Sequence, residues 1–221
     1  MTDSEYFQFK KINFDKLIEY GFSLKGKEYL YTKDIQKGNF KFEICITAPQ
    51  KLETKVYDNA TNEEYLLYKA SAATGSFVVS LRLECQKILD DIALNCCSEE
   101  IFKSAQAKAI IDYVKVKYGD QLEYLWKKSP TNAILRRKDN QKWYLIIMVI
   151  PLKKLSINSS KLAEIIDIRI KEENQSLIDK MKFYPAWHMN KKHWCTIILN
   201  ESVATTDIFN LIDESYQLAK K

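Results

Sequence analysis

The sequence predicts an α+β protein of two domains, each with a helix, an antiparallel meander and a second helix. Stripes of apolar residues at helical spacing alternate along the chain with β-branched runs that turn-forming residues separate. The 221 residues allow one large or two compact domains, since a domain takes about 100 to 200 residues. Because only 5 Gly and 4 Pro leave little material for a long linker, we expect two tightly packed domains at residues 1–100 and 101–221.

The first domain begins with a predicted short helix. Apolar residues recur at helical spacing from Asn13 to Tyr20, and Gly21 supplies the left-handed residue that ends many helices. Four runs are then predicted to be the strands of a meander: Phe22–Thr32, Phe40–Thr47, Leu52–Tyr57 and Tyr65–Tyr68. From Phe77 onward, apolar residues three, four and seven apart predict a long amphipathic helix that covers one face of this sheet.

The second domain repeats this order in outline. A helix is predicted over Ser104–Tyr118, and Lys138–Gln141 is predicted to be the turn of a β-hairpin. The hairpin strands are Ala133–Arg137 and Trp143–Ile150, and the second is apolar without alternation, which indicates burial on both faces. The remaining predicted elements are a strand Ile165–Ile170, a short helix Asn174–Met181, a strand His193–Leu199 and a terminal helix Thr206–Ala219.

The charge of the chain is unevenly distributed. Residues 1–104 carry 14 Lys and Arg against 16 Asp and Glu, whereas residues 105–221 carry 20 against 13. A basic C-terminal half is typical of a protein that meets phosphate or an acidic surface. The alternative is that these lysines form a solvated face that keeps a sheet edge soluble and unpaired.

The composition excludes several classes of protein. With 46% hydrophobic and 29% charged residues, the chain is neither disordered nor collagenous. The 5 cysteines are odd in number and never spaced C-x-x-C, so reduced thiols are expected in place of disulfides or a zinc site. The polar N-terminus and the absence of a long apolar run predict a cytoplasmic protein that does not enter a membrane. No motif indicates a cofactor or a bound metal.

The segment Tyr184–Trp194 has the most unusual composition in the chain. It holds both histidines, two tryptophans and two lysines within eleven positions. Histidines five residues apart do not share a helical face, and a third metal ligand is not evident. His193 and Cys195 would share a strand face, but a nucleophilic thiol also needs an orienting group and an anion hole, which the sequence does not provide. No catalytic residue is therefore predicted.

Basic residues gather around the predicted turns and are interleaved with aromatic residues. Phosphate attraction together with base stacking requires this combination. We therefore expect the second domain to bind DNA, another nucleic acid or another polyanion without catalysing a reaction. The predicted binding residues are Arg136, Arg137, Lys138, Lys142, Trp187, His188, Asn190, Lys191, Lys192, His193 and Trp194.

Two other functions stay open. In the first, the protein is an interaction module whose N-terminal sheet meets a protein partner, and a large apolar surface patch would favour this. In the second, the protein is an enzyme that uses His188 or His193 as acid or base. A pocket that encloses both histidines would support the enzyme.

A family resemblance extends over residues 105–221. The matching residues are Pro185, His188–Lys191, His193–Trp194 and Ile212–Tyr216. This part of the chain resembles the MmcQ/YjbR family of small bacterial proteins, which carry a similar H-M-N-K-x-H-W segment and a Ser-Tyr pair in the last helix. The chain departs from the family at Ala186–Trp187, where Gly-Tyr is more common. The resemblance implies a CyaY-like antiparallel sheet covered by helices, and DNA binding through likeness to a double-wing domain. Residues 1–100 resemble the N-terminal extension of longer members.

Overall fold

The computed structural model describes residues 6–49 and 51–220, and the chain divides into two compact units. The N-terminal unit is Met1–Ile101 and the C-terminal unit is Phe102–Lys221. Both combine α-helices with antiparallel sheets, so the predicted α+β class is confirmed. No helix in the described ranges is long and apolar enough to cross a membrane.

The N-terminal unit contains a four-stranded antiparallel sheet in the order β2-β3-β4-β5 and a short two-stranded ladder of β1 with β6. Its elements are β1 (Lys10–Ile12), α1 (Phe14–Tyr20), β2 (Ser23–Lys25), β3 (Glu28–Ile35), β4 (Phe40–Thr47), β5 (Lys51–Asp58), α2 (Ser76–Cys96) and β6 (Cys97–Glu99). The helices α1 and α2 and the strands β4 and β5 follow the predicted positions closely.

The core of the N-terminal unit lies between this sheet and the helices. Every second residue of β4 is buried, starting from Phe40, which is the pattern of a strand with one face in the core. The helix α2 buries one stripe of side chains, including Leu81 and Ile92, in the same cluster. At the start of α1, the Asn13 side chain accepts a hydrogen bond from the backbone of Lys16, which satisfies an amide that the helix leaves open.

Two of the predicted strands take another form. The run Phe22–Thr32 is a hairpin, because Gly26 has a φ of 62° and permits a two-residue turn between β2 and β3. The prediction of a strand at Tyr65–Tyr68 is wrong, since Leu66–Tyr68 is a 3-10 helix. The guanidinium group of Arg82 in α2 donates hydrogen bonds to four carbonyls of residues 67–73, and this holds the segment in a turn.

The C-terminal unit contains a five-stranded antiparallel sheet in the order β10-β11-β9-β8-β7. Its elements are α3 (Ala105–Tyr118), β7 (Asn132–Arg136), β8 (Trp143–Pro151), β9 (Leu162–Arg169), β10 (Phe183–Pro185), β11 (Trp194–Ile198) and α4 (Thr205–Leu218). The hairpin of β7 and β8 and the helices α3 and α4 confirm the predicted elements, whereas the three-residue edge strand β10 was not predicted.

The two faces of this sheet are covered differently. On the helix face, α4 packs against β8 and β9, and α3 packs against α4. On the second face, side chains from β8 and β9 form a cluster with Tyr184, Ala186 and Trp194, and the segment of residues 152–157 packs against it. The central strand β8 is therefore buried on both sides, as its unbroken apolar run predicts.

A serine and a tyrosine attach α4 to the sheet. The buried Ser215 hydroxyl donates a hydrogen bond to the carbonyl of Tyr144 in β8 and accepts one, at 2.8 Å, from the backbone amide of Arg169 in β9. The ring of Tyr216 stacks on that of Tyr118 with their centroids 3.8 Å apart. The Ser-Tyr pair of the last helix thus connects two strands and one other helix.

The predicted short helix Asn174–Met181 is present only over its first half. A 3-10 helix covers Glu172–Leu177, and a turn follows it. In that turn, one carboxylate oxygen of Asp179 accepts hydrogen bonds from the backbone amides of Met181, Lys182 and Phe183, at 2.8, 2.8 and 3.0 Å. These bonds lower the pKa of Asp179 to about 2 and direct the chain into β10.

Replacement of Ser215 by alanine is expected to destabilise the C-terminal unit by about 1 to 3 kcal/mol, because a buried amide and a buried carbonyl each lose a hydrogen-bond partner. Urea unfolding followed by circular dichroism measures this loss. Ser202→Ala, at an exposed loop position, is the control and should change the free energy of unfolding by less than about 0.5 kcal/mol. Equal stability of the two variants would contradict the connecting role of Ser215.

Candidate functional site

Lys191 and Lys192 lie at the tip of a tight turn. The carbonyl of Asn190 accepts a hydrogen bond from the amide of His193 at 3.0 Å, and its side-chain oxygen accepts one from the amide of Lys192, also at 3.0 Å. This arrangement is an Asx turn, in which the asparagine side chain replaces a backbone carbonyl. Asn190 thus shapes the turn, and both lysine side chains are exposed.

The residues just before this turn carry two aromatic rings. The amide of Trp187 donates to the hydroxyl of Thr196 in β11 at 3.1 Å, which holds the segment on the second face of the sheet. The Trp187 ring is half-buried, and the ammonium group of Lys154 lies 5.0 Å from its centroid. The ring of the exposed His188 lies 4.8 Å from that of Trp187. A cation and two rings therefore follow one another on this surface.

Beside His188 lies a cavity of about 310 Å³. Its walls are largely aromatic or apolar, and three polar side chains interrupt them. The lining residues are Trp126, Ser129, Asn132, Trp143, Ile146, Met148, His188 and Met189. The rings of Trp126 and Trp143 meet edge to face with their centroids 5.7 Å apart. A concave, mostly apolar site with a few polar groups is the usual form of a binding pocket for a small ring system.

An irregularity in the hairpin aims Trp143 at the cavity. Leu135 pairs with Leu145, but the next residue, Arg136, pairs with Trp143, so Tyr144 is an extra residue in β8. Such a β-bulge changes which side chains share a face. The Tyr144 ring lies on the helix face against Tyr118 and Tyr216, whereas the Trp143 ring lines the cavity.

Asp167 of β9 is fully buried on the second face. The hydroxyl of Thr196 donates a hydrogen bond to one of its carboxyl oxygens, and the other oxygen has no hydrogen-bond partner among the described residues. Burial raises the pKa of Asp167 to about 7 because the charged form is poorly solvated there. The Asp167 carboxyl group thus supports Thr196, which in turn holds Trp187.

Arg169 lies two residues further along the same strand. Its Nε donates a hydrogen bond of 2.6 Å to the carbonyl of Trp143, and its guanidinium carbon lies 4.8 Å from the centroid of the Trp194 ring. Partial burial lowers the pKa of Arg169. Over residues 6–49 and 51–220, neither terminal nitrogen of its guanidinium group has a hydrogen-bond partner or a carboxylate in ion-pair distance.

Several residues predicted for a binding surface have internal partners instead. Arg136 forms a two-pronged ion pair with Glu123, at 2.8 and 2.6 Å, which ties the loop before β7 to that strand. Arg137 is only 5% exposed and donates to Asp139 and to the carbonyl of Tyr216. These two cations are thus engaged in holding the fold and should not be counted as phosphate ligands.

Lys138 and Trp194 also do not lie on the predicted binding surface. The Lys138 ammonium group donates to the carbonyl of Gly119 at 2.8 Å, at the end of α3, and Lys142 is exposed beside the same hairpin turn. Trp194 is 3% exposed, so a base has no access to its ring. The structure therefore places Trp187, His188 and the 190–193 turn together, and puts Lys138 of the hairpin turn against the C-terminal end of α3.

The cavity encloses only one of the two histidines that were considered as acid or base. His188 lines the cavity and the exposed His193 does not. The thiol of Cys195 is buried, and burial raises its pKa to about 12, the opposite of what a nucleophilic cysteine needs. Among the described residues, no three His, Cys, Asp or Glu side chains gather as they would around a metal ion.

Sequence reasoning missed Trp126, Asn132, Asp167 and Arg169. The sequence did indicate the two charged residues, because Asp167 and Arg169 alternate with isoleucines in the second half of β9, where every other residue is isoleucine. A polar residue at such a position faces either the core or a site. A further signal was the tryptophan that directly precedes Lys127 and Lys128 in the loop before β7.

Comparison with known proteins shows similarity over the C-terminal half. The YjbR family model matches residues 116–218, which include every residue of the candidate site. The Uncharacterized protein YyaQ of Bacillus subtilis (strain 168) is 35% identical over 112 residues, which make up 50% of this chain and 95% of YyaQ. A crystal structure of a protein from Pseudomonas syringae is 40% identical, with a TM-score of 0.50, and the match covers 53% of this chain and 99% of that one. A solution NMR structure from Pseudomonas syringae is also 40% identical, covers 51% of this chain and 91% of its own, and has a TM-score of 0.47.

Asp167→Asn is expected to change the pH dependence of stability. The carboxyl group of Asp167 loses its proton near pH 7 when folded and near pH 4 when unfolded, so wild-type stability falls as the pH rises from about 4 through about 7. The variant lacks this loss. Its free energy of unfolding relative to wild type should therefore improve by on the order of 3 kcal/mol between about pH 4 and pH 8. Urea titrations at both pH values measure the difference, and parallel behaviour of the two proteins would refute the buried neutral carboxyl.

Proposed function

This chain belongs to the YjbR family, and from that premise we propose that its C-terminal unit is a non-enzymatic nucleic-acid-binding domain. The observation that supports the proposal is the spatial order of groups on the second face of the sheet. Lys154 lies over Trp187, Trp187 contacts His188, and His188 lines a cavity that also has tryptophans in its wall. Polyanion binding needs cations in water, and base recognition needs accessible rings beside them.

The charge distribution supports the same function. Residues 105–221 carry 20 basic against 13 acidic residues, and a basic domain attracts a phosphate backbone over long range. The turn of residues 190–193 presents two exposed lysines beside the aromatic rings. We therefore retain Trp187, His188, Lys191 and Lys192 as binding residues and add Trp126 from the loop before β7.

We also propose a cellular compartment for the protein and a finer description of its fold. We place this function in the cytoplasm, because all five cysteines are free thiols and a reducing compartment preserves them. A CyaY-like arrangement of the C-terminal unit, and a helix-meander-helix order in both units, are also part of the proposal.

A second candidate function concerns the N-terminal unit alone. Apolar side chains are exposed on the 3-10 helix Leu66–Tyr68 and on the first half of α2: Leu66 is 66% exposed, Leu83 58% and Phe77 44%. Exposed apolar groups on elements that contact each other are typical of a protein interface. We propose that this surface contacts a protein partner while the C-terminal unit binds nucleic acid.

The double variant Lys191→Ala with Lys192→Ala tests nucleic-acid binding. Each lost phosphate contact should reduce the slope of log K against log salt by about 0.9 for duplex DNA and about 0.7 for single strands. Fluorescence anisotropy of labelled oligonucleotides, titrated between about 50 and 200 mM salt, measures the slope.

The matched control is Lys115→Ala with Lys220→Ala, which removes the same charge at exposed positions in and after helices. It should leave the slope close to the wild-type value. If both double variants bind equally, the 190–193 turn does not contact the nucleic acid. If the wild-type protein binds no oligonucleotide at about 50 mM salt, the proposed function is wrong.

A further inference from the structure

We propose that the cavity accepts one unstacked nucleobase and that Arg169 binds a phosphate next to it, so that the protein recognises single-stranded nucleic acid. This inference rests on the function proposed above and specifies its ligand. It is carried by two observations on the second face of the C-terminal sheet: the composition of the cavity and the unsatisfied guanidinium group beside it.

The cavity matches a planar heteroaromatic ring in chemistry and size. Trp126 and Trp143 provide aromatic surface, and Met148 and Met189 provide polarisable apolar contacts. The amide of Asn132 can both donate and accept, as the edge of a base requires. A volume of about 310 Å³ is at the lower end of the range for ligand pockets, which suits one small ring system.

Only an unpaired strand supplies such a ring at low cost. A base within a duplex is stacked on both faces, and its extrusion requires unstacking and unpairing energy. In a single strand the bases can turn outward and stack on aromatic side chains. A cavity with tryptophans in its wall therefore favours single strands over duplexes of the same length.

Arg169 differs from the other three arginines, all of which lie in the described part of the chain. Arg82 donates to four backbone carbonyls, and Arg136 and Arg137 each pair with a carboxylate. Arg169 uses only its Nε, toward the carbonyl of Trp143, and rests on the Trp194 ring. Its two terminal nitrogens have no partner among the described residues, which leaves a planar fork of donors for an anion.

The position of Arg169 connects this fork to the cavity. Its hydrogen bond to the backbone of Trp143 places the guanidinium group beside a residue that lines the cavity. The ring of Trp194 supports one side of the guanidinium plane and limits its movement. A fixed guanidinium fork binds phosphate in two-pronged geometry, so the ligand that fits both features is a ring joined to a phosphate.

The experiment compares two oligonucleotides that carry the same number of phosphates. One is a labelled single strand of about 12 nucleotides with mixed, non-self-complementary sequence, and the other has abasic sites throughout. By fluorescence anisotropy, the intact strand should bind about 5- to 150-fold more tightly, which corresponds to about 1 to 3 kcal/mol for one stacked base. A hairpin duplex of equal phosphate count, closed by a linker without bases, should bind no more tightly than the abasic strand.

Trp126→Ala should remove the preference for the intact strand and leave the affinity for the abasic strand unchanged. Trp126 is suited to substitution because it is 37% exposed in a loop and carries little of the core. The matched control is its neighbour Leu125→Ala, which is 45% exposed and does not line the cavity. This control should retain the wild-type preference.

Arg169→Gln should weaken the binding of both strands and reduce the salt slope by about 0.7, since one phosphate contact is lost. Arg169→Lys, which keeps the charge, should restore the slope. Thermal melts of both variants identify any loss of folding, and the lysine variant shows whether the charge alone restores the slope.

The possible results separate this inference from the proposed function. Equal affinity for the intact and abasic strands, with weaker binding after substitution of Lys191 and Lys192, would retain nucleic-acid binding and refute the base pocket. A preference that survives in Trp126→Ala would also refute the pocket. An unchanged salt slope in a folded Arg169→Gln would remove Arg169 as the phosphate ligand. No binding of any strand would refute both proposals.

Discussion

The β-bulge at Tyr144 is the constraint on which both faces of the C-terminal sheet depend. Because β8 carries one extra residue there, Trp143 shares the cavity wall with Ile146, three positions along the chain. The Tyr144 ring joins the tyrosines on the helix face. The two carbonyls at the bulge also have separate partners: that of Trp143 accepts from Arg169, and that of Tyr144 accepts from Ser215. The cavity, the arginine and the last helix are therefore positioned by one irregularity.

Regular elements were predictable from the sequence because their signals are local. A capping Asn13 and a left-handed Gly21 delimit α1, and the uninterrupted apolar run of β8 indicates a strand buried on both faces. The errors arose where one side chain acts on a distant backbone. Arg82 converts a predicted strand into a 3-10 helix, and the three amides bound by Asp179 end another element early. The spacing of apolar residues along the sequence does not indicate such contacts, because they depend on which residues are close in the folded chain.

The candidate site was only half predictable for a related reason. Sequence composition identified the segment with both histidines, but it treated all basic residues as equivalent. In the folded chain, Arg136 and Arg137 bind carboxylates because a planar guanidinium group matches them well, whereas the two lysines of the 190–193 turn are exposed. Arg169 escapes this rule for a geometric reason: its neighbours are a carbonyl and an indole ring, and neither neutralises its charge.

A buried polar chain, more than apolar packing, sets the position of the cavity wall that carries His188. The amide of Trp187 donates to Thr196, and Thr196 donates to Asp167, so the segment before the lysine turn is held through three consecutive groups. Such a chain has a direction, because each donor needs an acceptor, and it specifies one backbone position where apolar contacts would allow several. It also has a cost, since one carboxyl oxygen of Asp167 is left without a partner among the described residues and burial raises the pKa of the group to about 7. The buried carboxyl group of Asp167 thus costs stability, and the hydrogen-bond chain that ends on it holds the aromatic wall in place beside Arg169. An unsatisfied buried polar group of this kind is characteristic of a functional site.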